Sequence, residues 1–562
     1  MKISSIPHIY RNVNRLTEIL SVFSKYGLAD WLSRLNLEFA KGLLKSRDGE
    51  ILAHHTRETR IRMALAELGP TFIKLGQLLS TRPDLVGRAL ADELRTLQSD
   101  APADPPGRVR ETVEKELGLP LEQLFLQFDE QPIASASIGQ VHRAVLPSGE
   151  RVVVKVQHHG IQEKVRKDLD VLSTLAQLAD RLPEFAPYRP VATVAEFQRT
   201  LRRELDFGRE ERNLQLFSSR FAGNPHVAIP RPFTDLCTPQ VLTMELLEGV
   251  KLAELERIEQ AVFDRQAIAR HGAHLYLEMI FSEGLYHADP HPGNVVLLPG
   301  NVIGLLDFGM VGRIDERLRE QIEDMLSAIA SQDAVRLATL VRRVGSAPPD
   351  LDETALRADV SDFVAHYGTQ SLDQFDLGGA LSEMTEMFYR YGIVLPAQVA
   401  MLLKVLITLE GTSQLLDPHF SLIEVMQPFH RRSLRARLSP LRRLKRLGRV
   451  YDELEHLAEL LPRRLIDILE QVQTGKFDVH LDHRGLEPSV NRLVLGMLAS
   501  ALFIGSSLLL SLKVPPLLFP REPFLGLSQL SVLGLSGCVL SVLLGLRLIQ
   551  AIGKSGHLDR RA

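Results

Sequence analysis

Between residues 61 and 79, Ile61, Leu65, Leu68, Phe72, Leu75 and Leu79 recur at three- and four-residue steps. That spacing predicts one face of a helix, with Pro70 interrupting its phase. Residues 1–118 as a whole are helix-patterned, and Ala-Pro-Ala-Asp-Pro-Pro at 101–106 reads as a loop or linker. From about 120 the pattern turns strand-like. An apolar alternation near 138–146 runs into a Pro147-Ser148-Gly149 turn and then Val152–Val156. A long helical stretch is expected over 161–220 and a further strand at Val241–Leu247. Residues 250–430 read as mostly helix, with short strands near 295–298 and 302–306. No internal repeat of fixed period is visible.

The C-terminal pattern differs in kind. Leu493–Leu512 is twenty residues without a charge, and Pro523–Leu546 is a second uncharged run. Between them stand Lys513, Pro515, Pro516, Pro520, Arg521 and Glu522. Each run is long enough to cross a hydrocarbon core of ~30 Å as a helix. The pair predicts a transmembrane hairpin rather than two buried core helices. Gly496, Gly505, Gly534, Gly537 and Gly545 would let its helices approach closely. Arg492 precedes it and Arg547, Lys554, Arg560 and Arg561 follow, which places both ends and the bulk of the chain on the cytoplasmic side. Residues 431–449 hold nine Arg or Lys and no acid. No aromatics interleave them for base stacking, so contact with anionic lipid headgroups is expected ahead of nucleic acid or a merely solvated face. Residues 1–50, with Lys2, Arg11, Arg15, Lys25 and Asp30, show no secretory signal and read as a cytosolic amphipathic segment.

Composition narrows the class. The chain has 562 residues, 66 Lys+Arg against 69 Asp+Glu, 45% hydrophobic and 24% charged. That is ordinary for a multi-domain globular protein and excludes a disordered or collagen-like chain. Near-neutrality gives no global pull toward nucleic acid. Two cysteines, Cys237 and Cys538, exclude a disulfide scaffold and a multi-cysteine zinc site. Cys237 reads as a buried thiol. The adjacent pairs His54-His55 and His158-His159 diverge on helix or strand and read as surface or capping histidines.

Three separated segments carry phosphate chemistry. Val153-Val154-Lys155-Val156 is a β-branched strand presenting one lysine; HADPHPGN occupies 287–294; Asp307-Phe308-Gly309 follows the apolar Val302–Leu306. Asp289 to Asn294 is five residues and Asn294 to Asp307 thirteen, the intervals of a protein-kinase catalytic loop and its metal-binding Asp-Phe-Gly. A strand lysine suits the α/β-phosphates of ATP. Asn294 and Asp307 offer hard oxygen ligands for Mg2+, and Asp289 would sit where a hydroxyl or water attacks. Each motif alone is weak; together and in order they predict a kinase-like fold. There are departures. No Gly-x-Gly-x-x-Gly precedes Lys155. In its place stand Ala134, Ser135, Ala136, Ser137, Ile138, Gly139, Gln140, Val141 and His142, where alanine and serine fill glycine positions and their Cβ atoms restrict the approach of backbone N–H groups to phosphate. His291 replaces the lysine that protein kinases carry two residues after the catalytic Asp, and no Ala-Pro-Glu follows Asp307. A protein substrate would find little to dock on.

Lys74-Leu75-Gly76-Gln77 within TFIKLGQLLSTRPDL, the loop ASASIGQVH, Glu204-Leu205-Asp206 within RRELDFGREERN, and HADPHPGN with Asp-Phe-Gly resemble the UbiB family of atypical kinases. The resemblance covers roughly 60–310 in motif and, with the hairpin, almost the whole chain. It implies that the Lys-x-Gly-Gln helix folds over the nucleotide site and blocks protein substrates. It further implies that ATP turnover is tied to quinone and isoprenoid lipid intermediates, in support of ubiquinone biosynthesis alongside other proteins of that pathway. Carried over residue by residue, Glu210 is the helix partner of Lys155, and Glu204 and Asp206 are partners of the extension. If 71–79 is one helix, Lys74 and Gln77 lie roughly opposite Phe72, Leu75 and Leu79, turned toward a polar site.

The expected fold is therefore α+β, a two-lobed protein-kinase-like fold with a helical N-terminal extension (1–118) and a C-terminal transmembrane hairpin (491–550). The N-lobe is expected at 119–250, the C-lobe at 251–430, and a basic membrane-proximal linker at 431–490. The implied site comprises catalytic Asp289, Lys155 and Glu210; metal-binding Asn294 and Asp307; and nucleotide-facing residues 134–142, Lys74, Gln77, Glu204 and Asp206. The implied location is a bacterial inner membrane with the kinase-like part in the cytoplasm. A small-molecule kinase and a non-enzymatic nucleotide-binding scaffold remain open as alternatives.

Overall fold

Gly69 and Pro70 divide the first apolar stripe into two helices, Arg57–Leu68 and Pro70–Ser80. Gly69 takes a left-handed φ of 94°, and Pro70 occupies the first helical position, where its missing N–H costs nothing. The computed structural model describes residues 13–28, 55–97, 101–182, 188–254, 263–368, 375–426, 486–518 and 530–554, with a few single positions between these spans. The basic stretch 431–449, the linker 431–485, His54, Pro520–Glu522, Arg560 and Arg561 lie outside them. The chain divides into two compact units, residues 1–439 and 440–562.

In the first unit, helix Pro70–Ser80 buries Phe72 and Gly76 against helices Arg57–Leu68 and Arg88–Arg95. A Cβ at Gly76 would lie 2.3 Å from a methyl of Leu97, so a larger residue there would require the Leu97 side chain to move. The expected helical stretch 161–220 is three helices, Ile161–Ala179, Pro190–Glu204 and Phe207–Arg220. Pro190 opens the second, and the Asp206 carboxylate caps the third by accepting from Gly208 N.

A five-stranded sheet comprises β1 (Gln127–Phe128), β2 (Ala134–Ser135), β3 (Gly139–Val145), β4 (Arg151–Gln157) and β6 (Val241–Glu245), in the order β1-β3-β4-β6 with β2 on β3. Its two faces are both covered. Val152, Val154 and Val156 pack with Val109, Val113 and Leu121 of the helices before the sheet, while Val153 joins the main core. The period of two therefore sends Lys155 to the same face as Val153, toward helix Phe207–Arg220.

A second sheet runs β5 (Val227–Ala228), β10 (Val302–Leu305), β9 (Val295–Leu298), β7 (Val250–Lys251), and β8 (Leu285–His287) pairs with β11 (Val311–Arg313). Around them stand helices Arg265–Leu277, Glu316–Ala330, Ala334–Val344, Glu353–Tyr367, Leu377–Arg390 and Ala397–Leu416. The first five each start behind an aspartate, Asp264, Asp315, Asp333, Asp352 and Asp376, that accepts from a first-turn N–H.

The described part of the second unit has two helices packed on each other, Leu486–Ser511 and Val532–Lys554, with a short β-bridge of Leu517–Leu518 on Leu530–Ser531. Two of the five expected glycines make the close approach. A Cβ at Gly534 would lie 2.8 Å from the Leu510 backbone N and one at Gly537 2.1 Å from Ser506 Oγ. Gly496 has ordinary packing, and nothing among the described residues lies within 4 Å of a Cβ at Gly505 or Gly545, so these three do not set the spacing of the two helices. Among the described residues, three helices are long and apolar enough to cross a membrane: Ala397–Leu416, whose window is 56% buried within the protein, and Arg492–Ser511 and Val532–Gln550, each 11% buried.

Candidate active site

β4 delivers Lys155 Nζ to Glu210 Oε2 at 2.8 Å, with Asp307 Oδ1 at 3.8 Å. The ammonium also lies 5.0 Å from the centre of the Phe207 ring. Glu210 is buried one turn into its helix, and Asn213 Nδ2 from the next turn donates to Phe308 O at 2.8 Å. Helix, strand and the Asp-Phe-Gly turn are thus tied at one point. Burial opposes the charge on Lys155, but Asp307 and Glu210 outweigh it and hold its pKa above the usual lysine value. The Lys155 charge in turn holds the Asp307 carboxyl down to about 2, against the opposing effect of burial, with Lys74 assisting.

The loops on the other side are fixed by His287, which is fully buried. Its Nε2 faces the carbonyls of Leu306 at 2.9 Å and Asp307 at 3.0 Å. Carbonyls only accept, so Nε2 carries the proton. Nδ1 is then the acceptor for the Tyr276 hydroxyl at 3.2 Å and the Asp289 N–H at 3.4 Å. One imidazole therefore joins the 287–294 loop to the turn at 307. Phe308 packs between His287 and Phe217, and Asp307 itself takes φ 55°, a left-handed conformation that Asp and Asn tolerate best. Asn294 Nδ2 donates to Asp289 Oδ2 at 2.8 Å, which leaves the Asn294 amide oxygen as an acceptor.

Of the extension residues, Lys74 pairs with Glu204 Oε2 at 2.9 Å, close enough to Asp307 and Lys155 to feel both charges. Gln77 donates to Leu97 O at 3.3 Å, inside the extension. Asp206 serves as the helix cap, with Arg212 Nη2 at 3.4 Å, rather than as a partner of the extension. The loop 134–142 also differs from expectation in detail. Gln140 and His142 are buried and bond each other at 2.9 Å. Gln140 Oε1 accepts from Asp104 N in the 101–106 linker, and His142 stacks on Phe128. Their side chains build the lobe, and β3–β4 spacing accounts for Gly139, where a Cβ would lie 2.5 Å from Val156 O. Ile138 joins the core and Val141 packs against it, while the buried hydroxyls of Ser135 and Ser137 have no hydrogen-bond partner among the described residues. Ala134 and Ala136 are exposed; Ala136 O faces His158 Nε2 at 2.8 Å.

Sequence reasoning missed Lys404. It reaches from helix Ala397–Leu416 to Asp289 Oδ1 at 3.1 Å. The available signal was a single cation in a twenty-residue apolar helix. Cys237, near the carbonyls of Phe233 and Thr243, has its thiol pushed up to about 11 by burial, as suits an inert side chain.

The donor set fits Mg2+ with a nucleotide. Among the described residues no cluster of three or more His, Cys, Asp or Glu could hold a metal by itself. Mg2+ needs only one or two protein ligands when phosphates and water complete its octahedron, which the Asp307 carboxylate and Asn294 amide oxygen can supply.

Residues 96–341 match the ABC1 atypical kinase-like domain, 360–421 the UbiB helical domain, and 480–554 the ABC1/UbiB kinase-like C-terminal domain. A protein from Pseudomonas aeruginosa described as "Probable protein kinase UbiB" is 32% identical over 80% of this chain and 86% of its own length. Another so described, from Xylella fastidiosa, is 33% identical over 90% of this chain and 92% of its own. An uncharacterised Clostridium pasteurianum protein from a hydrogenase 1 5′ region is 30% identical over 97% of this chain and its entire length. A solved Mycobacterium tuberculosis protein in complex with erythromycin is 26% identical, covering 65% of this chain and 93% of its own, at a TM-score of 0.44.

Proposed function

We infer a function from one premise: the chain belongs to the UbiB family of atypical kinase-like proteins. It binds ATP with Mg2+ and turns the nucleotide over at the site built by Lys155, Glu210, Asp289, Asn294 and Asp307. The observation that carries this reading is Lys155 Nζ held by Glu210 at 2.8 Å within 3.8 Å of Asp307. A lysine oriented by a buried glutamate can clamp phosphates as a fixed charge. Asn294 and Asp307 would hold the metal, which supplies charge neutralisation on the phosphate oxygens when bound. Asp289, its Oδ2 fixed by Asn294, orients an incoming hydroxyl or water and takes its proton. Lys74 on helix Pro70–Ser80 puts a second cation beside that site, which supports the extension as a cover over the nucleotide, between an N-lobe ending near 250 and a C-lobe ending near 430.

The turnover serves ubiquinone biosynthesis at a bacterial inner membrane, on or beside isoprenoid quinone intermediates. The hairpin helices, apolar and mostly unburied, support anchoring there with the kinase-like part cytoplasmic. The test is quinone profiling of a deletion strain complemented with wild type or Asp307→Asn, alongside Mg2+-dependent ATP hydrolysis by both purified proteins. Loss of both quinone and hydrolysis in the variant is expected. Full complementation by Asp307→Asn would instead favour a scaffold. For the anchor, truncation after Glu487 should convert the protein from detergent-dependent to at most salt-extractable. A truncated protein that still needs detergent would remove the hairpin as the main anchor.

A further inference from the structure

Helix Ala397–Leu416 is among the most apolar of the first unit, and only Lys404 and Glu410 are charged in it. Glu410 has a structural task. It is buried and accepts from Gly378 N at the start of helix Leu377–Arg390, beside the Asp376 cap on Gly379 N, so it helps complete that helix end. Lys404 has no such task. Its ammonium lies 3.1 Å from Asp289 Oδ1 with only 28% of the side chain exposed, while Asn294 holds Oδ2 at 2.8 Å. The carboxylate is thus gripped at both oxygens by two donors from distant parts of the chain. The same helix touches the loop again where Thr412 Oγ1 donates to Pro290 O at 3.3 Å. At three- and four-residue steps on its helix face, Lys404 is flanked by Ala400, Met401, Ile407 and Thr408, none of which carries a charge.

The catalytic loop itself offers no cation at the usual place. Position 291, two residues after Asp289, is a histidine whose Nδ1 accepts from Gly293 N at 3.1 Å, so its ring closes the 292–294 turn. A cation beside the catalytic carboxylate has two effects in phosphoryl transfer. It fixes the carboxylate rotamer, and it offsets negative charge where the carboxylate and the terminal phosphate must approach each other.

We propose that Lys404 is a positioning residue of the phosphoryl-transfer site, contributed by the C-terminal helical region in place of a loop lysine. It holds Asp289 and places a positive charge at the acceptor side of the nucleotide. The inference rests on the ATP-turnover reading above, and its test separates the two. Lys404→Met, Lys404→Arg, Asp289→Asn and Lys404→Met/Asp289→Asn are prepared in the full-length, detergent-solubilised protein. Mg2+-dependent ATP hydrolysis is followed against ATP concentration, and thermal stability is recorded for each. Lys404→Met should lower kcat about 10–100-fold while KM for ATP moves less than about threefold, because the contact is to Asp289 and not to the bound nucleotide. Lys404→Arg should recover a large part of kcat. The double variant should be no slower than Asp289→Asn alone, since two groups acting as one unit are not additive. A wild-type kcat in Lys404→Met overturns the inference while leaving the ATP reading intact. So does a loss of kcat in that variant matched by a large drop in melting temperature and no rescue by arginine. A wild-type protein without Mg2+-dependent hydrolysis overturns both.

Discussion

Lys74 and Arg82, eight residues apart in the extension, each pair with a glutamate of helix Pro190–Glu204, at Glu204 and Glu196, themselves eight residues apart. The surroundings differ. The Arg82 guanidinium is 5% exposed, forks onto Asp84 at 2.9 Å through both Nε and Nη2, and donates to Leu395 O at 3.0 Å. Asp84, fully enclosed, also accepts from Leu395 N at 3.1 Å. That knot satisfies its charges in several directions and ties the extension to helix Pro190–Glu204 and to the segment before helix Ala397–Leu416. Lys74 and Glu204 are 24% and 14% exposed, and Lys74 feels the charges of Asp307 and Lys155. One pair is a rivet closed on itself. The other is open toward a site where a metal and phosphates would change the local charge.

The largest effect should come from opening the rivet. Arg82→Met leaves Asp84 buried without its counter-charge, which should cost about 3–5 kcal/mol of stability in urea unfolding. Lys74→Met, a change of similar size on the other pair, should cost less, about 1–3 kcal/mol, because Glu204 keeps Lys155 as a second cation nearby, whereas Asp84 loses the cation that forks onto both its oxygens. Equal losses would erase the distinction between the two clusters.

Next comes Asp307→Asn. Asparagine tolerates the φ of 55° and nearly matches the shape, so the fold should survive while Mg2+-dependent nucleotide binding, read by calorimetry, is lost. The pH dependence follows from sign. With its pKa held at about 2, below about 3.9 for an unfolded aspartate, Asp307 contributes stability that is present above pH ~4 and disappears as pH falls toward 2. The stability gap between wild type and Asp307→Asn should therefore close across that window. A gap independent of pH would mean that the carboxylate's charge is not what Lys155 and Lys74 hold.

What the sequence showed of this site follows the range of the interactions. Asp289, Asn294 and Asp307 were legible because their spacing is set by short strands and turns in one stretch of chain, and Lys155 because a short β-branched strand presents it as its single cation. The aspartate caps at 264, 315, 333, 352 and 376 belong to the same local class. Asp206 and the breaks near 190 and 206 were local too, and could have been read from the proline and from an aspartate before a helical run. Gln140 and His142 were harder. Their inward orientation depends on Asp104 and Phe128 across the lobe. Lys404 lies 115 residues from Asp289, and only the packing of its helix brings the two together.

Lys74→Ala sharpens the open side of the comparison. The Lys74 cation and an incoming Mg2+ both draw on the Asp307 carboxylate, so removing the lysine should tighten Mg2+-dependent nucleotide binding several-fold, about 3–10-fold by a screened charge–charge interaction. The measurement is nucleotide affinity at low and high salt, with the gain shrinking at high salt. Unchanged affinity would place Lys74 outside the nucleotide's reach and leave its pairing with Glu204 merely structural.

The smallest effect is expected from Ala136→Gly. Glycine removes the Cβ that limits backbone conformations in the phosphate-facing loop, which alone would favour closer approach of N–H groups to the nucleotide. Two contacts restrain that freedom. Ala136 N donates to Gly139 O at 2.9 Å, and Ala136 O faces His158 Nε2 at 2.8 Å, with His158 Nδ1 lying 3.3 Å from Asp104. The loop is pinned from the linker side whether or not residue 136 has a side chain, so affinity should tighten only about twofold, at the level of one backbone-entropy contribution. Ala136→Gly combined with His158→Ala should release the pin and move affinity further than either change alone. If the single glycine substitution already tightens binding more than tenfold, the side chain at 136 limits phosphate approach and the His158–Asp104 clasp does not.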